Sequence, residues 1–207
     1  MTGRPEAPYP WSTADLLAAT GGRKLCGPAA AVFTGIATDS RQALPGEVFL
    51  ALVGETHDAH RFVPDVLARG VRGLVAAEDR LDPAALAAWE EAGVTAVAVA
   101  DTTRALGALG AFQRRRAAAR VVALTGSSGK TTTRAMTAAV AARGFRVLTP
   151  RGNFNNEVGL PLTLLRLAPA HEVAVLELGM NHFGERDRLG AMAAPDIGLI
   201  TNIGPAH

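Results

Sequence analysis

The 207-residue sequence is short of several things, and each shortage excludes a class of protein. It holds one cysteine, Cys26, so no internal disulfide can form, as expected of a chain that works in a reducing, cytoplasmic environment. It has no run of about 18 apolar residues, the length a membrane-spanning helix needs. The Ala-rich segment 84–100 comes nearest, but Trp89-Glu90-Glu91 and Gly93 interrupt it. The opening MTGRPEAPYPW has no apolar signal core, so we expect neither a secretory leader nor membrane insertion. Charge of one sign is also lacking: 21 Lys and Arg against 19 Asp and Glu leave a net +2, which gives no electrostatic footprint for nucleic acid. No internal repeat is convincing.

What is present describes a globular α/β chain. Hydrophobic residues make up 48% and charged residues 19%, and a chain this long can bury roughly 70% of its unfolded surface. Pro5, Pro8 and Pro10 make the first residues irregular. Ser12-Thr13-Ala14-Asp15 reads as a capping box with Asp in place of Glu, opening a short helix to about Ala19 that Gly21-Gly22 ends. Apolar segments 32–38, 48–53, 74–77 and 94–100 are predicted strands. Helices are predicted over 61–69, with Gly70 at C′, from Asp82-Pro83 to near Gly93, and over 102–117. A second series follows: strand 121–125, helix 130–143, strand 145–148, helix 160–167, strand 173–178, helix 186–192 and strand 197–201. Short strands alternating with helices predict parallel βαβ units. We place a domain boundary near 101–103, giving domains 1–101 and 102–207. Arg114-Arg115-Arg116 reads as a solvated helix end whose cations suit the helix dipole.

The sharpest local signal is Thr125-Gly126-Ser127-Ser128-Gly129-Lys130-Thr131, set between a strand and a helix. Glycines let the backbone wrap an anion, and the helix start adds its positive dipole end. Lys130 is placed to reach the β- and γ-phosphates of ATP, and the Thr131 hydroxyl to meet Mg²⁺. The general pattern Gly-x-x-x-x-Gly-Lys-Ser/Thr asks for glycine where this chain has Leu124, so the match is to a shorter form.

That shorter form resembles the loop of the Mur ligases, ATP-dependent amide ligases of bacterial cell-wall precursor synthesis. Three downstream segments carry the likeness further: Arg151-Gly-Asn-Phe-Asn-Asn-Glu-Val-Gly-Leu-Pro161, Glu177-Leu-Gly-Met-Asn-His-Phe-Gly-Glu185 and Asn202-Ile-Gly-Pro-Ala-His207. Upstream, Thr38-Asp-Ser-Arg41 and Leu44-Pro-Gly-Glu-Val-Phe49 resemble the family's N-terminal UDP-sugar domain. The likeness covers residues from about 35 to 207 and is closest to the branch that joins D-alanyl-D-alanine to UDP-N-acetylmuramoyl-tripeptide.

The resemblance implies a small N-terminal α/β UDP-sugar-binding domain followed by a P-loop domain with a mostly parallel sheet. It implies an ADP-forming reaction through an acyl phosphate, with ATP and Mg²⁺ as cofactors, by a monomer. The implied catalytic residues are Lys130, Glu177 and His207, and the implied metal ligands Thr131, Glu177 and His207. ATP would be held by Thr125, Gly126, Ser127, Ser128, Gly129, Lys130, Thr131 and Thr132 with Asn153, Asn155 and Asn156, and the UDP-sugar by Ser40 and Arg41. The family pattern Asp-Gly-His reads Asp58-Ala59-His60 here, and we leave that loop out of the expected site. His57, His60 and His182 match no zinc spacing and read as solvated loop histidines. The chain stops at His207 just after a strand, so we expect an incomplete P-loop domain and no ligation by the chain alone. Competing readings are a sister ligase adding diaminopimelate or lysine, a folylpolyglutamate synthetase, and a non-enzymatic nucleotide-binding module.

Overall fold

A computed structural model of the chain describes residues 9–54, 57–179 and 184–204. They form two compact units, Tyr9–Leu106 and residues 107–204. No helix among the described residues is long and apolar enough to cross a membrane.

In the first unit β1 (Trp11–Ser12) leads into α1 (Thr13–Thr20) through the capping box read from the sequence. Ser12 Oγ accepts from the Asp15 amide at 3.0 Å, and Asp15 Oδ2 accepts from the Ser12 amide at 2.9 Å. Gly21, left-handed at φ 63°, ends the helix. Next come β2 (Arg23–Cys26), β3 (Val32–Phe33), β4 (Ile36–Ala37), β5 (Val48–Leu50), α2 (Val63–Ala68), β6 (Gly73–Ala77), α3 (Leu86–Glu91) and β7 (Thr95–Val99). The main sheet has the order β2-β7-β6-β5-β4. β4 to β7 pair in parallel, and β2 joins β7 antiparallel. Every residue of β5, β6 and β7 is buried, as in a sheet covered on both faces. Phe49, Leu74, Val66 and Ala96 lie at the centre of one core cluster.

Two details depart from the sequence reading. The single strand expected over 32–38 is two strands with different partners: β3 pairs antiparallel with β1, whereas β4 joins β5 in parallel. Between them the Thr34 amide donates to Gly46 O at 2.8 Å, so the segment changes partner there. β2 was not expected, because Arg23-Lys24-Leu25-Cys26 lacks an apolar pattern. It is an edge strand, where charged side chains reach water and discourage further pairing.

The division between the units falls within α4 (Thr102–Arg116). Beyond it lie β8 (Arg120–Thr125), α5 (Lys130–Ala141), β9 (Val147–Leu148), α6 (Gly159–Leu164), β10 (Val173–Glu177), α7 (Glu185–Ala193) and β11 (Ile197–Ile200). Their sheet runs β11-β8-β10-β9 and is wholly parallel, in line with the predicted mostly parallel sheets. The carboxyl ends of β8, β10 and β11 therefore sit side by side, the edge at which open α/β sheets bind ligands.

α4 is fastened to this sheet by polar contacts. Arg114 is not the solvated cation its sequence context predicts: its side chain is 12% exposed. It donates to Ala193 O, Ala194 O and Asp196 Oδ2 at 3.0, 3.0 and 2.9 Å. Asp196 also accepts from the Val121 amide at 2.8 Å. That amide, with Arg114 and Arg120 nearby, holds its carboxyl below the ordinary carboxylate range. Gln113, fully buried, donates to Leu167 O at 2.5 Å and accepts from Arg116 Nε at 2.7 Å. Gln113→Leu orphans Leu167 O, so we expect it to cost about 1–3 kcal/mol of folding free energy, measured by urea unfolding.

Candidate active site

The glycine turn after β8 builds the site. Gly126 has φ 138°, and a Cβ on it would stand 2.2 Å from Thr201 Oγ1, so only glycine fits. Gly129, at φ 78°, is the N-cap of α5 and supplies no side-chain cap. The first amides of α5 thus lack a capping side chain at the positive end of the helix dipole, an arrangement suited to an anion. Lys130 Nζ donates to Gly126 O at 2.7 Å, folding its ammonium over the turn.

The segment after β11 braces the turn from the other side. The Ser127 amide donates to Asn202 O at 3.2 Å and the Ser128 amide to Asn202 Oδ1 at 2.9 Å. Thr201 Oγ1 donates to Ser128 O at 2.6 Å. Thr125 Oγ1 bonds Leu178 O at 3.2 Å, tying β8 to the end of β10.

Glu177, the last residue of β10, is 2% exposed. A buried carboxylate is costly unless its oxygens are engaged. Here Thr131 Oγ1 donates to Oε2 at 3.0 Å and Asn155 Nδ2 to Oε1 at 2.9 Å. Arg134, one helical turn after Lys130, brings Nη1 to 3.7 Å from Oε2.

The three asparagines expected together do different things. Asn155 reaches Glu177, and its carbonyl accepts from the Gly179 amide at 2.7 Å. Asn156 Oδ1 accepts from the Val158 and Gly159 amides at 3.2 and 2.7 Å, supporting the start of α6. Asn153 is exposed and lines a shallow cavity with Phe154, Val158 and Leu162. Thr132 lies in the exposed first turn of α5. His207 and His182 lie outside the described residues. Arg134 was missed by the sequence reading, although it falls three residues after Thr131 and hence on the same helical face.

The first unit holds a separate cavity of about 500 Å³, lined by Thr38, Asp39, Ser40, Arg41, His57, Ala59, Arg61 and Phe62. Of the Asp58-Ala59-His60 loop left out of the expected site, Ala59 lines this cavity with Ser40 and Arg41, as do the neighbouring His57, Arg61 and Phe62. His60 is not a solvated loop histidine either: its side chain is 8% exposed. Its Nδ1 lies 2.6 Å from Asp58 Oδ1, and its Nε2 accepts from the Ala77 amide at 2.9 Å, pinning the loop to the end of β6. Asp58 is a neighbour in sequence, but the burial and the bond from Ala77 depend on where the loop folds. Arg41 is 85% exposed and grips Asp39 by Nε at 2.9 Å and Nη2 at 2.7 Å. Those bonds lower the Asp39 carboxyl to about 2, so the pair is intact at and above the ordinary carboxylate range and is lost only as pH falls through about 2.

Comparison with known proteins fits this geometry. Residues 124–207 match the model of the Mur ligase middle domain. The chain is 41% identical over 176 residues to the UDP-N-acetylmuramoyl-tripeptide–D-alanyl-D-alanine ligase of Haemophilus influenzae, covering 83% of this chain and 36% of that protein. The Bacillus subtilis ligase of the same name is 40% identical, with 85% and 37% covered. Among solved structures, MurF from Acinetobacter baumannii superposes with a TM-score of 0.85 at 42% identity, covering 97% of this chain and 43% of that one. The chain belongs to the Mur ligase family. MurF ligase from Thermotoga maritima, solved in complex with ADP, is 28% identical with a TM-score of 0.71, and 84% of this chain and 38% of that chain are covered. This Mur ligase chain thus spans little more than a third of the length of the curated relatives it matches.

A magnesium ion fits the donors of this Mur ligase site. Among the described residues no group of three or more His, Cys, Asp or Glu could cage a metal. Mg²⁺ does not ask for one: it is usually held by few carboxylates, substrate phosphates and water. The Thr131 hydroxyl and Glu177 carboxylate are hard oxygen donors, already 3.0 Å apart and next to the uncapped end of α5.

Proposed function

We propose that this chain is the sugar-nucleotide- and ATP-binding part of a cytoplasmic ligase that joins D-alanyl-D-alanine to UDP-N-acetylmuramoyl-tripeptide. The observation carrying the reading is the convergence of Thr131, Glu177 and Asn155 beside the uncapped N-terminus of α5. The names of relatives about 40% identical supply the substrates, and the ADP complex of the Thermotoga relative supports the nucleotide.

A carboxylate is a poor acyl donor, so it must be activated before an amide can form. In the reaction we assign, a tripeptide carboxylate oxygen attacks the γ-phosphorus of ATP and ADP leaves. The amine of D-alanyl-D-alanine then attacks the acyl carbon, its proton is lost, and phosphate leaves with the electron pair of the broken C–O bond. Lys130 and the α5 amides hold the β- and γ-phosphates in line, and Asn155 keeps Glu177 oriented. Mg²⁺ on Thr131 and Glu177 would neutralise phosphate charge. In the first unit Ser40 and Arg41 take the UDP pyrophosphate, with His57, Arg61 and Phe62 completing the cavity.

The test is calorimetric binding of UDP-N-acetylmuramoyl-tripeptide to the 207-residue chain. We expect saturable binding that Arg41→Ala weakens severalfold. Equal affinity of variant and wild type removes Arg41 from the site; no binding to either removes the sugar-nucleotide assignment.

A further inference from the structure

Arg134 poses a question that a metal role for Glu177 does not answer. Its side chain is 12% exposed and lies on the same face of α5 as Thr131. Nη1 donates to Gly152 O at 3.1 Å and stands 3.7 Å from Glu177 Oε2, the oxygen that also accepts from Thr131. A fixed cation is thus held against the oxygen that a metal would use.

We infer that Arg134 is the resident counter-cation of Glu177, standing in for the divalent ion while the nucleotide site is empty and opposing that ion when it arrives. The inference rests on the proposed metal role of Glu177. Two physical facts carry it. A carboxylate buried this deeply needs compensating charge, and among the described residues Arg134 is the cation brought to it. Two cations sharing one carboxylate repel, so each weakens the other's hold by the same factor. The Gly152 carbonyl gives the guanidinium a second anchor, so it can yield Oε2 without losing every partner. Arg134 is therefore a positioning residue that sets how much Mg²⁺ the site requires.

The experiment titrates Mg²⁺ at fixed ATP and follows nucleotide binding by the full chain, with melting temperature recorded in metal-free buffer. Arg134→Gln should lower the Mg²⁺ midpoint by roughly three- to tenfold and lower the metal-free melting temperature. Arg134→Lys, which keeps the charge, should hold the midpoint within about twofold of wild type. Arg134→Met serves as the neutral variant if the glutamine variant does not fold. A neutral variant whose midpoint is unchanged or raised overturns the inference, as does a lysine variant that shifts as far as the neutral one. Wild-type nucleotide binding that ignores Mg²⁺ instead sinks the metal role of Glu177 itself.

Discussion

Lys130→Ala will lower the affinity of the chain for ATP by about ten- to a hundredfold while leaving its melting temperature nearly unchanged. The asymmetry follows from what the side chain touches. In the structure its ammonium bonds Gly126 O at 2.7 Å, a contact within the glycine turn itself. Losing one half-buried bond of that kind is a small matter for a fold whose core lies elsewhere. Against a triphosphate the same ammonium faces several anionic oxygens, and hydrogen bonds to charged groups are worth about 1.5–3 kcal/mol, a factor of ten for each 1.4. The loss should grow from AMP to ADP to ATP, because Lys130 is placed for the outer phosphates rather than for the base. Lys130→Arg should not restore binding, since the wide guanidinium fork cannot take the place of a compact ammonium under the Gly126 carbonyl. Calorimetric titration with the three nucleotides checks all of this. An unchanged ATP affinity would falsify the phosphate-loop assignment and favour a non-enzymatic module with an idle turn.

The conformation of the glycine turn was legible because everything it needs is local. Gly126 and Gly129 carry the positive φ angles, and Lys130 and Thr131 follow at once on the helix they start. The parallel sheets were legible for a similar reason: β6, and β7 after Thr95, are apolar runs because both faces are covered. What escaped the sequence depends on partners distant in the chain. The segment containing β3 and β4 looks like one strand until its two halves are seen to pair with β1 and β5. β2 is invisible by pattern because an edge strand can be charged. His60 reads as a polar loop residue, yet the end of β6, 17 positions away, buries it. Arg134 was within reach, since its spacing from Thr131 puts both on one face, but only the end of β10 shows what that face meets. Glu177 shows the mixture: its place at a strand end could be read from the apolar run before it, whereas its bond from Asn155 could not.

That bond is why Glu177→Gln is the second decisive substitution. Glutamine keeps the shape of the side chain and one acceptor oxygen, so it can still receive Asn155 Nδ2 or the Thr131 hydroxyl and leave the strand end in place. What it loses is the negative charge, and with it the reason for a divalent cation to settle between Thr131 and the sheet edge. We expect ATP binding by Glu177→Gln to show no dependence on Mg²⁺, at the affinity that wild type shows in metal-free buffer. Glu177→Ala removes the acceptor as well, leaving the half-buried Asn155 Nδ2 without it while the exposed Thr131 hydroxyl turns to water, and should destabilise the fold by about 1–3 kcal/mol in addition. The pair of variants separates charge from packing: the alanine variant loses both stability and metal dependence, the glutamine variant chiefly the second. If Glu177→Gln keeps the wild-type Mg²⁺ dependence, the carboxylate is a structural clasp for Thr131 and Asn155, and the metal must be sought at other oxygens along the same edge of the sheet.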